Sequence, residues 1–377
     1  MDKNENLCYT AGTATGSGAG NGIRRTGEHS VKDDLQVTIS DVARHAGVSV
    51  STVSRILNNK PDVSVATRAH VTKVIKDLGF TPHVQATSLA AGRSRTIALL
   101  FPLEQTGDTQ LPLDFITGAA HAAEEKGFFC TLVTAPMSET SLPALYRSGQ
   151  ADGVILVQVY LDDWRVNTLR RLNYPFVMNG RCADNTGISF IDLDFERAVI
   201  IAFEHLVELG HRTIGFLGFP AAQRASGYGP AVRSFAGYQK FCETHGLMPL
   251  YREVERTPQA MAEATRSLLE ERPDLTGIMT TNGPSVIGAL RVLEAHSHRV
   301  PDDVSVIAVV PDRIAELITP PLTSISFSTS KMGYDAACML IKRLEKTGVE
   351  EEQRLLTPQI HIRASIGPVA RCGKEVP

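Results

Sequence analysis

A chain of 377 residues, 43% hydrophobic and with a net charge of −3, is too long for one compact core and suits two or three folded units. No run approaches the roughly 18 uninterrupted apolar residues of a membrane span, and no basic start followed by an apolar stretch marks a secretory signal. Six cysteines (Cys8, Cys130, Cys182, Cys242, Cys338, Cys372) without a CxxC pair read as reduced thiols of a cytoplasmic protein, with neither a disulfide frame nor a zinc site.

Residues 1–36 are polar and rich in Gly, Ser and Thr, and are expected to form a disordered leader. Its GSGAG stretch has the look of a phosphate-binding glycine loop, but no strand precedes it. Residues 38–58, TISDVARHAGVSVSTVSRILN, read as two helices joined at Gly47. Thr38 and Ser49 stand at N-cap positions, and Asp41 completes a box-like pattern with Thr38. Ile39, Val42 and Ala43 give the first helix an apolar stripe; Val53, Ile56 and Leu57 give one to the second. Ser51, Ser54, Arg55 and Asn58 fall on the opposite face of the second helix, free to reach phosphates and base edges. An ordinary small helical bundle is the alternative.

Ser64 caps a third predicted helix, with a stripe of Val71, Val74, Ile75 and Leu78, an end at Gly79 and a stop at Pro82. From Val37 to Arg95 there are eight Lys/Arg and three acids, a net +5, which leaves −8 on the rest of the chain. Positive charge confined to one small unit is what a phosphate-binding module needs.

The stretch VTISDVARHAGVSVSTVSRILNNKPDVSVATRAHVTKVIKDLGFTP resembles, without a gap, the N-terminal domain of the lactose/galactose repressor (LacI/GalR) family of bacterial transcription regulators. The likeness continues more loosely to about residue 367. It implies a helix-turn-helix domain over residues 37–81, with Val50, Ser51 and Arg55 at base edges. Thr38, Ser49, Ser54 and Asn58 would hold phosphates and set register. Residues 82–94, PHVQATSLAAGRS, are too short to form a stable helix alone. The resemblance makes them a hinge helix that forms on operator DNA and pairs with its dimer mate in the minor groove, Leu89 acting as wedge and Ala86 allowing close approach. The other reading is a plain linker with Leu89 resting on the next domain. His83 stands where the family commonly has Asn, so contacts at the operator centre are expected to differ and to gain pH dependence.

From Arg95 onward apolar strand runs alternate with helical segments: TIALLF, CTLVTA, DGVILVQV, YPFVMN, TIGFLGF and VSVIAVV against ERAVIIAFEHLVELG and PSVIGALRVLEAHS. This pattern predicts an α/β unit of parallel sheets covered by helices on both faces. The stretch from EHLVELGHRTIGFLG to PPLTSISFSTSKMG resembles the family's effector-binding and dimerisation domain, residues 95–367, a two-lobed fold shared with periplasmic sugar-binding proteins. One lobe is expected to hold residues 95–194 and 322–356, the other 195–321 and 357–367, with a tail at 368–377. Ligands of such folds sit between the lobes at the carboxyl ends of strands. Phe101, Asp114, Arg181, Arg233 and Asn282 fall near such ends and are the candidate effector contacts. For each singly, a surface ion pair or loop hydrogen bond is an equal reading.

The chain departs from better-known members at Asn282-Gly283, where they often carry Asn-Asp, and at Val310, where they carry an aspartate that accepts bonds from the ligand. The pattern FPLE…LPLDF…NGR…FIDLDFERA is closer to a branch tied to glucosides and plant-derived carbohydrates, so a carbohydrate or sugar-acid effector is expected. The resemblance further implies a homodimeric, nucleoid-associated repressor on a pseudo-palindromic operator, with no cofactor or metal. Induction and corepression fit the sequence equally. The residues after the last strand contain no leucine heptad for a tetramerisation coil. A sugar-binding protein without DNA-binding activity is the alternative. An α/β enzyme is disfavoured, since there is no Gly-x-Ser-x-Gly elbow, Walker loop or metal-spaced His pair, and His205 and His211 lie six apart around a helix end.

Overall fold

A computed structural model of the chain describes residues 37–57, 60, 62–80, 94–101, 113–346 and 348–369. The expected leader, and most of both the hinge segment and the tail, therefore lie outside the described residues. The chain divides into two compact units, the first ending at His83.

The first unit contains helices α1 (Ile39–Ala46), α2 (Val50–Leu57) and α3 (Val65–Asp77). Thr38 and Asp41 form a full capping box at the start of α1, and Gly47 ends it at φ 64°, a conformation that disfavours any side chain. Ser49 Oγ accepts from Thr52 N–H at 3.2 Å to cap α2, and Ser64 accepts from Thr67 N–H to cap α3. Val42, Ala43, Ala46, Val53, Ile56, Val71 and Phe80 form one buried cluster, flanked by partly buried Ile39, Leu57, Val74, Ile75 and Leu78. Phe80, which helical periodicity does not reach because it lies beyond the end of α3, completes that core.

The second unit is built on two six-stranded sheets. The first contains β1 (Thr96–Leu100), β2 (Phe129–Val133), β3 (Gly153–Leu156), β4 (Phe176–Asn179), β5 (Phe190–Leu193) and β11 (Gln353–Leu356) in the order β11-β5-β4-β3-β1-β2, all parallel. The second contains β6 (Ile214–Gly218), β7 (Tyr251–Glu253), β8 (Gly277–Thr280), β9 (Ser305–Val309), β10 (Thr323–Ser326) and β12 (Gln359–His361) in the order β12-β10-β9-β8-β6-β7. Its edge strand β12 runs antiparallel to β10, an exception to the all-parallel expectation. Parallel strands need crossovers, and helices supply them. Those on the first sheet are α4 (Leu113–Glu125), α5 (Ser141–Arg147), α6 (Trp164–Arg171) and α13 (Thr329–Glu345). On the second they are α7 (Phe195–Glu208), α8 (Ala221–Ala225), α9 (Gly229–His245), α10 (Pro258–Glu271), α11 (Ile287–Ala295) and α12 (Asp312–Leu317).

The chain passes between sheets at Asp194, which caps α7, and again between Leu356 and Gln359. The middle passage differs from the sequence reading. Thr323, Ser324 and Ile325 pair with Ile307, Ala308 and Val309, so β10 belongs to the second sheet and the crossing falls after Ser326 rather than at Leu322. Glycines set the closest helix contacts: a Cβ on Gly118 of α4 would collide with the carbonyl of Ser330, and one on Gly333 of α13 with the carbonyl of Phe115.

Candidate functional site

In the first unit, α2 turns Val53 and Ile56 inward and leaves Val50, Ser51 and Arg55 exposed. Val50 is 43% exposed, an unusual position for a β-branched apolar side chain at a helix start. Arg55 pairs with Asp62 at 2.5 Å, both side chains remaining largely in solvent. Ser49 Oγ is shared with Ser51 and Thr52 at 2.8 Å each, and Thr38 is engaged with Asp41, so both are capping residues in this state. Ser54 is partly buried beside them. Asn58, His83, Ala86 and Leu89 lie outside the described residues. Arg68, counted in the sequence among the module's positive charges, has a structural task instead. Its guanidinium donates to the carbonyls of Ile56 and Lys60, at 3.3 and 2.5 Å, and so closes the C-terminal end of α2.

In the second unit, the carboxyl ends of both sheets face a cleft of about 450 Å³. The first sheet presents Phe101 after β1, Gln158 after β3, Asn179 at the end of β4 and Asp192 in β5. The second presents Phe219 after β6, Thr281 after β8 and Val310 after β9. The lobes are sewn together on one side by backbone bonds, Leu161 N–H to Gly227 O at 2.8 Å and Gly229 N–H to Val159 O at 3.1 Å. Arg233 adds two side-chain bonds to that seam, donating to the carbonyls of Arg181 and Cys182 at 3.0 and 3.1 Å. Across the cleft, Arg313 of α12 meets Asp114 of α4 at 3.0 Å.

The candidate contacts divide accordingly. Phe101 and Asp114 line the cleft, whereas Arg181, Arg233 and Asn282 are not among its lining residues. Arg181 donates through Nε to Asp192 at 3.2 Å, and Arg233 is taken up by the seam. Asn282 is 1% exposed and staples two strand ends, its Nδ2 donating to Gly218 O and Val254 O. Arg181 and, in part, Arg233 and Asn282 thus bond to groups of their own surroundings, while Arg233 Nη1 and Asn282 Oδ1 are buried without a partner. Val310 is buried in the cleft wall, so no carboxylate stands at that strand end.

The sequence reading missed three oxygens that do face the cleft: Gln158 Oε1, Asn179 Oδ1 and Thr281 Oγ1 are buried without a hydrogen-bond partner. Buried polar atoms are normally satisfied, so three orphans in one hollow mark a place built for an incoming donor. Gln158 also has φ 54°, a left-handed backbone that a non-glycine residue rarely adopts. Arg165 holds it there, donating to the carbonyls of Val157 and Gln158 at 3.1 and 2.9 Å. Arg165 is itself fixed by a buried two-point pair with Asp163 at 2.9 and 2.6 Å. Asp192 is the cleft's buried carboxylate. Burial pushes its carboxyl up to about 6, while the nearby Arg233 and Arg181 pull the other way. The position of Gln158 two residues beyond β3 and that of Asn179 at the head of the NGR stretch were usable signals.

Residues 38–83 match the bacterial regulatory proteins of the lacI family, and residues 203–366 match a periplasmic binding protein-like domain. The HTH-type transcriptional regulator CelR of Thermobifida fusca is 31% identical over 339 residues, spanning 87% of this chain and 98% of CelR. The chain belongs to the LacI family. This LacI-family protein is a DNA-binding transcriptional regulator, not an enzyme. Two solved structures match across nearly their whole length. The lac repressor dimer bound to operator and the anti-inducer ONPF aligns with a TM-score of 0.76 at 26% identity, covering 89% of this chain and 99% of that one. The CelR–cellobiose complex aligns with a TM-score of 0.63 at 28% identity, covering 87% and 99%. Among the described residues no helix is long and apolar enough to cross a membrane, and no group of three His, Cys, Asp or Glu side chains is placed to hold a metal.

Proposed function

We propose that this regulator is a cytoplasmic, nucleoid-associated repressor, acting as a homodimer on a pseudo-palindromic operator, whose affinity for DNA is set by a carbohydrate bound between its lobes. The observation that carries the effector reading is the convergence of Gln158, Asn179 and Thr281, each with an unpartnered buried oxygen, on a cleft walled by Phe101, Phe219 and Tyr228. Hydroxyl groups supply the donors those oxygens lack, and aromatic faces suit the apolar faces of a sugar ring. The buried Asp192 adds a further acceptor and favours a neutral polyol over an acid, whose carboxylate would enter beside it. The family relationship supports the DNA reading, with Val50, Ser51 and Arg55 exposed on α2 as the base-edge contacts. Ligands act on such a protein only through different affinities for two states, and the interlobe seam is the contact a change of lobe angle would alter.

Isothermal titration calorimetry of the full chain against mono- and disaccharides, plant glycosides and sugar acids tests the effector assignment. One neutral carbohydrate should bind at micromolar concentration, and Asn179→Ala should weaken it at least tenfold. Binding of sugar acids alone, or binding indifferent to Asn179 and Gln158, would refute it.

A further inference from the structure

The cleft occupies the carboxyl ends of the strands of the first sheet, and the chain enters that sheet at the amino end of β1. Ser94 and Arg95 are the first described residues of the second unit, and in the sequence they directly follow the segment that leads from the helix-turn-helix module. One side chain holds this entry point. The carboxylate of Asp152, the residue preceding β3, accepts from Ser94 N–H at 2.8 Å, Ser94 Oγ–H at 3.0 Å and Arg95 N–H at 2.7 Å. Its own N–H donates to Thr96 O at 2.8 Å. Three donors on one carboxylate make a charge-assisted clamp, stronger than the same number of neutral bonds.

Arg95 is held at several points, with its side chain still 51% exposed. Its Nε and Nη2 donate to the carbonyls of Gly127 and Lys126 at 2.8 Å each, its guanidinium lies 4.6 Å from the centre of the Phe128 ring, and Glu345 stands 3.7 Å from Nη2. Its backbone is nevertheless left-handed, at φ 48°. Such a conformation is costly for a non-glycine residue and persists only where the surroundings over-determine it. The Arg95 carbonyl accepts from Phe129 N–H at 2.8 Å, so this residue also starts the ladder to β2. What the arrangement adds is a fixed starting point at Ser94 and Arg95.

We propose that Asp152 is a positioning residue for operator binding: by clamping Ser94 and the left-handed Arg95, it fixes the point and direction from which the segment before Ser94 starts. The same strands extend the consequence to the cleft. β1 (Thr96–Leu100) lies between Arg95 and Phe101 and β3 (Gly153–Leu156) between Asp152 and Gln158, and the two strands are paired in register from Ile97–Gly153 to Leu100–Leu156. The clamp and the candidate effector contacts are thus opposite ends of one rigid pair of strands. This inference rests on the reading that the segment before Ser94 must order itself on specific DNA.

The test uses the full chain and two duplexes, one enriched by the wild-type protein from a random pool and one with the same composition scrambled. Asp152→Asn keeps the side chain's size but replaces a carboxylate oxygen with an amide that faces N–H groups. It should raise the Kd for the enriched duplex at least tenfold, move that for the scrambled duplex by less than threefold, and leave the thermal midpoint within about 2 °C. Ser94→Ala, which removes one bond of three, should give an intermediate loss, and Ser94→Thr should recover it. If Asp152→Asn fails to fold, this serine pair decides. Unchanged discrimination in Asp152→Asn or Ser94→Ala overturns the proposal, as does an equal loss on both duplexes with a lowered midpoint, which would mark a purely structural residue. If the wild type itself shows no preference between the duplexes, the specific-DNA reading on which the proposal rests fails with it.

Discussion

Arg55 gives the most direct handle on the DNA-binding face, because the structure shows what it must release in order to act. Its guanidinium pairs with Asp62 at 2.5 Å, but the two side chains stay 60% and 46% exposed. An ion pair so solvated contributes about 0.2–1 kcal/mol. A two-point contact from arginine to guanine in the major groove contributes about 1–3 kcal/mol of discrimination. The contact therefore outweighs the pair. At mid-range, a contact of about 2 kcal/mol less a pair of about 0.6 kcal/mol leaves about 1.4 kcal/mol, so Arg55→Ala should weaken specific binding roughly tenfold. Asp62→Asn should act in the opposite direction, freeing Arg55 and removing a negative charge beside the DNA, and should tighten binding by up to roughly fivefold. Fluorescence anisotropy with a specific duplex and a scrambled one, across a salt series, separates these effects from general phosphate attraction. The loss in Arg55→Ala should appear on the specific duplex. A weaker Asp62→Asn complex, or an Arg55→Ala protein with unchanged preference, would refute the reasoning.

Three further predictions concern the second unit. His211 is buried, with Nε2 bonded to Gly367 O at 3.0 Å, and burial lowers its pKa below the ordinary value of 6.5. The unfolded chain therefore takes up a proton as pH falls through 6.5 while the folded chain resists, so stability present at pH 7.5 should decline toward pH 5.5, and His211→Gln should flatten that slope in thermal melts. Asp192 has the opposite sign: with its carboxyl raised to about 6, the folded chain holds the extra proton between roughly pH 4 and 6 and loses stability from this group as pH rises through that window. On the proposal that a hydroxyl-rich ligand uses Asp192 as an acceptor, its affinity in calorimetric titrations should fall as pH drops through about 6, and the inflection should vanish in Asp192→Asn. Arg165→Leu leaves Asp163 buried and unpaired beside the left-handed Gln158, and should lower stability by about 3–5 kcal/mol in urea unfolding; a change under 1 kcal/mol would show that the pair is dispensable.

The helix-turn-helix was legible because its determinants are local. Caps at Thr38, Ser49 and Ser64, the Gly47 turn and the apolar stripes all lie within a few residues of what they specify. The alternation of strands and helices was equally readable. Membership of β10 in one sheet or the other was not, because it depends on register with β9, fixed by pairing between segments distant in sequence. The cleft was half legible. Strand ends could be found, and Phe101 and Asp114 stand there, but charge drew attention to Arg181 and Arg233, which serve Asp192 and the interlobe seam. Within the NGR stretch the charge of Arg181 drew attention away from Asn179, and Gln158 lies inside the strand run DGVILVQV, so both amides were passed over. Their importance comes from unpartnered oxygens, a property that exists only once the fold has excluded water around them.

The central claim is that one ligand in the cleft controls DNA affinity, and operator binding measured with and without that ligand tests it most directly. DNA from upstream of the protein's own gene, titrated in the presence of the carbohydrate that binds best, should show at least a tenfold change in Kd. The same compound should leave Asn179→Ala on DNA unaffected at that concentration. An unchanged Kd under saturating ligand, or a change that persists undiminished in Asn179→Ala, would contradict the account.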